Sequence, residues 1–299
     1  MTDRPPSPEQ EMPPRANASA SPRTGVVLSS GFFGFFAHAG FLSAVRTAGL
    51  VPDAYAGASS GAIVAAMAAS GMTDEAIRQI LFRVQKADFW DPDPWHKIAR
   101  YALRRLKGYS GYLKGGGFSR LLEAIPVRTI EACPTPLAVA ATNLTRKKET
   151  IFTRGDLIKT VHASGAVPML FKPVEIEGNL YVDGGISNKA PVTAVSELAS
   201  LDRIFVHFIA SENVEEKPDF LNKPFSPWRI QYLAVNIGRQ DAYRLQVEIA
   251  RMKGIDVIEV RTEAVPVGPN RLEQGPAAYA AARESTLRIL KERGFLKES

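Results

Sequence analysis

The chain of 299 residues contains a single cysteine, Cys133, so it cannot form an internal disulfide bond. This excludes a disulfide scaffold, and we expect a reducing, cytoplasmic setting. No run of 18 apolar residues occurs, which argues against a transmembrane helix. Residues 1–24 lack the apolar stretch of a signal peptide, and their content of Pro, Ser and Ala predicts a disordered tail.

Several motifs for cofactor binding are also missing. The sequence contains no G-x-x-x-x-G-K-[ST] phosphate loop, no H-E-x-x-H and no paired cysteines for zinc. The stretch "GFFG" at residues 31–34 does not satisfy G-x-G-x-x-G. We therefore expect no obligatory metal or nucleotide cofactor.

Acidic residues are absent between His96 and Arg120, although the whole chain has a net charge of only +6. Positive charge is thus concentrated in one segment of the chain. A local basic patch does not favour a general polyanion-binding surface, and we expect no nucleic acid partner. On a helical wheel, residues 96–107 place apolar side chains on one side and basic ones on the other. This pattern fits a peripheral membrane contact on anionic lipid, and it equally fits an ordinary surface helix. The basic residues of the patch are Lys97, Arg100, Arg104, Arg105, Lys107, Lys114 and Arg120.

Short apolar runs alternate with helical patterns along most of the chain, as in "TGVVLSS" before "AHAGFLSAVRTAG" and "DAYAGAS" before "SGAIVAAMAASG". This alternation predicts an α/β fold with a mostly parallel central sheet and helices on both faces. No domain boundary is visible, so residues 25–299 are expected to form one domain. Within it, residues 86–120 are a candidate lid or interfacial insertion.

The segment "GASSG" fits G-x-S-x-G, with Ser59 at its centre and Gly57 and Gly61 on either side. It lies between a short predicted strand and a helix of small residues, where a serine hydroxyl projects from the end of the sheet. The glycines are needed because neighbouring backbone passes close to this turn. Ser59 is therefore a candidate nucleophile, although a structural Gly/Ser turn would have the same sequence.

A nucleophilic serine needs a base, and none of the four histidines lies in a loop after a strand and beside glycines. Asp183 does, because "NLYVDGG" reads as a strand that ends in an acid and is followed by Gly184 and Gly185. A partly desolvated carboxylate with a raised pKa can accept a serine proton. The residues alone leave open a Ser-Asp pair or a plain turn at Asp183.

Three blocks resemble the patatin-like phospholipases, the bacterial branch especially, in their order and spacing. They are "VVLSSGFFGFFAHAGFLSAV", "AYAGASSGAIVAA" and "HASGAVPMLFKPVEIEGNLYVDGGISNKAPV". The resemblance extends from residue 25 to about residue 210. It implies a three-layer α/β/α hydrolase that acts on lipid or phospholipid acyl esters, in the manner of a phospholipase A or lysophospholipase, with Ser59 as nucleophile and Asp183 as base.

The resemblance also implies an oxyanion hole in the loop after the first strand, where the family typically has Gly-Gly-Gly-x-Arg-Gly. Here Ser30, Gly31 and Phe32 stand at the three glycines, Phe33 at the variable place, and Gly34 and Phe35 at the arginine and last glycine. Backbone N–H groups make the hole, so Gly31, Phe32 and Phe33 are the candidate donors.

The loop departs from the family pattern at four positions, which leaves open a catalytically weak or inactive lipid-binding or scaffold protein. A further alternative to hydrolysis is an acyltransferase, because acyl transfer would use the same acyl-enzyme. Among the phenylalanines of this loop, Phe36 is expected in the core. At least one of Phe32, Phe33 and Phe35 is expected to line the substrate entrance, where an apolar wall suits an acyl chain.

Overall fold

The computed structural model describes residues 21–105, 107–209, 227–262, 265 and 267–296. The predicted tail therefore lies outside the described residues except at its end, where Thr24 already begins the first strand. The strands are β1 (Thr24–Leu28), β2 (Ala54–Ala58), β3 (Gly111–Leu113), β4 (Leu137–Asn143), β5 (Lys148–Phe152), β6 (Met169–Phe171), β7 (Val174–Ile176), β8 (Asn179–Val182), β9 (Arg203–Ile209) and β10 (Asp256–Thr262). The helices are α1 (Phe35–Thr47), α2 (Ser60–Ala69), α3 (Asp74–Arg83), α4 (Lys86–Phe89), α5 (Trp95–Leu103), α6 (Gly116–Leu122), α7 (Leu157–Gly165), α8 (Val192–Leu198), α9 (Pro227–Met252) and α10 (Gly275–Glu292).

The central sheet has the strand order β10-β9-β1-β2-β4-β8-β7, and β5 also pairs with β4. The five strands from β10 to β4 run parallel, with Val27 of β1 opposite Ala56 of β2 and Val206 of β9. The strands β5, β7 and β8 are antiparallel to their neighbours. β7 and β8 are joined by only two residues, too few for a parallel crossover. The prediction of a mostly parallel sheet is confirmed.

Helices cover both faces of this sheet because side chains alternate along its buried strands. In β1, Val26 and Leu28 belong to the hydrophobic core that contains α1, α2 and α10. Val27 points the other way, into a second core that contains residues of α8 and α9. All three side chains are fully buried. The predicted three-layer α/β/α arrangement is therefore confirmed.

The helix predicted over residues 96–107 is shorter than expected. The helix α5 ends at Leu103, and Arg105 has φ of 51°, a left-handed conformation that cannot continue a right-handed helix. Leu106 lies outside the described residues. The segment 86–120 is attached to the domain by a small separate sheet, in which β3 pairs with β6.

The turn between β2 and α2 lies against β1 with no space for side chains. A Cβ atom on Gly61 would lie 2.2 Å from the carbonyl oxygen of Leu28, and one on Gly57 would lie 2.6 Å from the backbone of Gly61. Both distances are well below van der Waals contact, and the obstructing atoms are backbone. The close approach thus explains the two glycines of the G-x-S-x-G pattern.

We predict that Gly61→Ala lowers the free energy of unfolding by about 3 kcal/mol, because the added methyl group forces two buried backbones apart. Gly238→Ala is the matched control, since Gly238 lies within α9 and has open space around it. That substitution is expected to stabilise the protein by about 0.5–1 kcal/mol through helix propensity. Chemical denaturation measures both values. A loss below about 0.5 kcal/mol for Gly61→Ala would show that the approach is not tight.

Candidate active site

Ser59 lies at the turn between β2 and α2, with φ of 55° and ψ of −123°. A positive φ at a residue other than glycine costs on the order of 1–3 kcal/mol and is found where the surrounding structure imposes it. Here the tight packing of Gly57 and Gly61 imposes it. The turn places the Ser59 side chain at the carboxyl end of the parallel strands, the usual position of ligand sites in such sheets.

The Asp183 carboxylate lies beside this hydroxyl although the two residues are 124 positions apart. Ser59 Oγ donates a hydrogen bond of 2.5 Å to Asp183 Oδ2. The other carboxylate oxygen, Oδ1, accepts the backbone N–H of Gly185 at 2.7 Å. Both Ser59 and Asp183 are buried. A Cβ atom on Gly184 would lie 2.0 Å from the carbonyl oxygen of Ala140, so the turn after β8 also depends on glycine.

Burial raises the pKa of the Asp183 carboxyl from 3.8 to about 6. Hydrogen bonds from Ser59 and Gly185 oppose this rise, and so do the positive charges of Arg239 and Lys189. The carboxyl is therefore ionised at neutral pH, yet it binds a proton far more readily than an aspartate in water. A group with these properties can accept and return a serine proton.

Ser164 is a part of this site that the sequence reasoning missed. Its hydroxyl accepts the backbone N–H of Ser59 at 2.9 Å and donates to the carbonyl oxygen of Ala140 at 2.6 Å. It thus joins the Ser59 turn to β4. The signal was present in the sequence, because Ser164 lies in the third of the blocks that resemble the patatin-like phospholipases.

The loop of residues 29–34, called the oxyanion loop below, has three backbone N–H groups without an acceptor among the described residues. They belong to Gly31, Phe32 and Phe33, the predicted oxyanion donors. None of the three has a positive φ, so phenylalanine is sterically acceptable at Phe32, where the family pattern has glycine. At Gly34, a Cβ atom would lie 2.5 Å from the carbonyl oxygen of Gly31. This position has no space for an arginine side chain.

The phenylalanines after β1 divide between the core and a cavity. Phe36 is 1% exposed and packs in the core, as predicted. Phe32, Phe33 and Phe35 line an apolar cavity that also contains Ser59, and Phe32 is 54% exposed. The other walls come mainly from α2, α3, α6 and β6. The Ser59 hydroxyl therefore faces a space with apolar walls.

Among the described residues no histidine forms a hydrogen bond with Ser59, and two histidines form a separate buried chain. His38 Nε2 donates to the carbonyl oxygen of Ser29 at 2.8 Å, so its Nδ1 accepts from His207 Nδ1 at 2.7 Å. His207 Nε2 then accepts the Thr262 hydroxyl at 2.8 Å. Burial lowers the pKa of His38 to about 3, in agreement with this neutral arrangement.

His162 lies elsewhere, with Nδ1 2.9 Å from the Ser119 hydroxyl, and burial lowers its pKa to about 4. Within the described ranges, no three His, Cys, Asp or Glu side chains converge as a metal site would require. In the same part of the chain, no helix combines the length and the apolar character needed to cross a bilayer.

Known proteins with similar sequences include an uncharacterized NTE family protein of Mycobacterium tuberculosis H37Rv, which is 32% identical over 187 residues. That alignment covers 61% of this chain and 48% of the relative, so the chain spans about half the length of the mycobacterial protein. "Lysophospholipase NTE1" of Mycosarcoma maydis is 28% identical over 174 residues, which cover 57% of this chain and 9% of that protein.

Among solved structures, VipD from Legionella pneumophila matches with a TM-score of 0.49 at 17% identity, covering 92% of this chain and 68% of that chain. The family model described as "Patatin-like phospholipase" matches residues 26–196, more than half of the 299 residues. The matched region includes the second half of β1, the Ser59 turn and the Asp183 turn. The chain belongs to the patatin-like phospholipase family.

Proposed function

We propose that the protein is a serine acyl-ester hydrolase that acts on lipid substrates, of the phospholipase A or lysophospholipase type. The observation that carries the proposal is the 2.5 Å hydrogen bond from Ser59 Oγ, at the wall of an apolar cavity, to the buried Asp183 carboxylate. Membership of the patatin-like phospholipase family supports it. The lysophospholipase name of the Mycosarcoma relative supports the lysophospholipid type.

The reaction begins when Ser59 Oγ attacks the carbonyl carbon of the ester and its proton passes to Asp183 Oδ2. The carbonyl oxygen becomes an oxyanion, and we propose that the N–H groups of Gly31, Phe32 and Phe33 donate to it. Asp183 returns the proton to the leaving alcohol as the ester bond breaks, which leaves an acyl group on Ser59. Asp183 then takes a proton from a water molecule as its oxygen attacks the acyl carbon. The bond from this carbon to Ser59 Oγ breaks, Asp183 returns the proton to Ser59 Oγ, and the fatty acid is released.

The walls of the cavity favour an acyl chain as the group beside Ser59. They consist mainly of aromatic and aliphatic side chains, so burying a methylene group there is favourable by roughly 0.8 kcal/mol. Acyl transfer to another acceptor would use the same acyl-enzyme. Three N–H groups of the oxyanion loop have no acceptor among the described residues, which favours an active enzyme over a scaffold protein.

A peripheral membrane contact through residues 96–107 fits this function. Trp95 and Leu103 at the ends of α5 are 80% and 87% exposed, beside the exposed basic residues of the same helix. The segment that follows α5 contacts β6, which contributes to the cavity wall, because the Tyr109 hydroxyl donates to the carbonyl oxygen of Met169. We propose that α5 rests on anionic lipid near the entrance of the cavity.

The proposal predicts that Ser59→Ala lowers hydrolysis of a long-chain lysophospholipid by at least about 10³-fold, because the nucleophile is lost. A fluorophosphonate probe is expected to label the wild type at Ser59. Ser196→Ala, on α8 at the opposite face of the sheet, is the matched control and keeps both properties. Full hydrolysis by Ser59→Ala, together with no labelling of Ser59, would contradict the proposal.

The proposal also predicts a single acidic limb in kcat/KM, with a midpoint near pH 6. Asp183 accepts the proton only when ionised, so activity rises as pH passes through its pKa of about 6 and is level above it. His162→Gln is the control, because the pKa of His162 is about 4 and a histidine base would be lost in this variant. Stopped assays from pH 4.5 to 8.5 measure the profile. Loss of the limb in His162→Gln would assign it to the histidine instead.

The membrane contact predicts weaker vesicle binding when charge is removed from α5. The double variant Lys97→Gln, Arg100→Gln is expected to bind phosphatidylglycerol vesicles about thirtyfold less tightly, since each basic residue contributes about 1 kcal/mol. The double variant Arg244→Gln, Arg251→Gln on α9 is the control of equal charge. Equal binding to phosphatidylcholine and phosphatidylglycerol vesicles in a sedimentation assay would exclude this contact.

A further inference from the structure

The oxyanion loop and the turn that carries Asp183 lie directly against each other. A Cβ atom on Gly185 would lie 2.4 Å from Cβ of Ser30. In the proposed reaction, this turn holds the proton acceptor and the loop supplies the N–H donors. The contact between Ser30 and Gly185 therefore sets the position of the acceptor relative to the donors.

Lys189 binds the loop side of this contact through both its backbone and its side chain. Its carbonyl oxygen accepts the N–H of Ser30 at 2.8 Å, and its Nζ donates to the carbonyl oxygen of Ser30 at 2.8 Å. The residue is only 1% exposed, and Nζ lies 5.2 Å from the ring centroid of Phe208. An ammonium group is costly to bury, so packing alone does not explain a lysine here.

Arg239 reaches the same contact from α9, 50 positions further along the chain. Its Nη1 donates to the carbonyl oxygen of Gly185 at 2.7 Å and lies 3.5 Å from the hydroxyl of Ser30. One guanidinium group thus touches both the Asp183 turn and the oxyanion loop. Arg239 is half-buried, which makes the interaction stronger than at the open surface.

The oxyanion loop has no charged residue of its own, and Gly34 has no space for one. During attack on an ester, negative charge moves from the Asp183 carboxylate to the carbonyl oxygen at this loop. Cations placed where the loop meets the Asp183 turn stabilise the Asp183 carboxylate before the attack. They also stabilise the negative carbonyl oxygen that forms during the attack. Both Lys189 and Arg239 also oppose the effect of burial on the pKa of Asp183.

We propose that Lys189 and Arg239 are positioning residues that fasten the oxyanion loop to the Asp183 turn and direct two positive charges toward the reacting groups. This inference rests on the proposed function, because it concerns the same Ser59 and Asp183 side chains. Lys189 and Arg239 lie far from the loop in sequence, and they supply the positive charge that the loop itself lacks.

The test uses the full chain with Lys189→Met, Arg239→Gln and Arg239→Lys. Arg244→Gln is the matched control, since Arg244 lies on the same helix, exposed and paired with Asp241. For each protein, the rate of fluorophosphonate labelling at Ser59 and kcat/KM are measured from pH 4.5 to 8.5, with thermal unfolding recorded alongside. Arg239→Gln changes a half-buried side chain, so a folded variant is available even if Lys189→Met fails to fold.

We expect the acidic midpoint of Arg239→Gln to rise by about one pH unit, because a nearby positive charge has been removed. Its plateau kcat/KM falls about tenfold, mainly in kcat. Arg239→Lys restores the midpoint because the charge is kept, and Arg244→Gln leaves both quantities unchanged. Lys189→Met shifts the midpoint in the same direction.

An unchanged midpoint and plateau in Arg239→Gln, with only a lower unfolding temperature, would overturn the inference and leave a purely structural role. That result is distinct from failure of the proposed function. If the wild type is not labelled at Ser59 under any condition, the proposed function fails first, and the inference fails with it.

Discussion

The site depends on three glycines that lie against their neighbours with no space for a Cβ atom. Gly61 lies against the backbone of Leu28, Gly184 against the backbone of Ala140, and Gly185 against the side chain of Ser30. Each approach is too close for a Cβ atom, and together they bring the ends of β1, β2, β4 and β8 to one point of the sheet. Ser59 and Asp183 form a hydrogen bond because of this convergence, although they are far apart in sequence. The positive φ of Ser59 has the same origin.

Burial of Asp183 is the second constraint, and it acts in opposite directions on stability and on the proposed chemistry. Its pKa is about 6 in the folded protein and 3.8 in the absence of burial. The fold therefore favours the protonated carboxyl. This contribution is fully present below about pH 4 and is lost as pH rises through about 6, which lowers stability by roughly 3 kcal/mol at neutral pH. The same burial makes the carboxylate a better base than one in water.

Much of the fold follows from local patterns in the sequence. Alternating strands and helices predict the parallel sheet with covered faces, and the motifs around Ser59 and Asp183 select the two side chains that the structure brings together. The sequence does not predict the contacts made by Ser164, Lys189 and Arg239, because those contacts depend on how distant segments pack. The early end of α5 was missed for another reason. Arg105 adopts a left-handed conformation that the helical periodicity does not reveal.

The phenylalanines of the oxyanion loop contribute to the site through both their backbone and their side chains. Phe32 has no positive φ, so it replaces a glycine without loss of its N–H group, and the rings of Phe32 and Phe33 form part of the cavity beside Ser59. The most direct test of the account is mass spectrometry of the protein quenched in acid during turnover of a long-chain lysophospholipid. The account predicts an acyl adduct on the peptide that contains Ser59, absent from Ser59→Ala. Turnover with no adduct, or with the adduct on another residue, would contradict it.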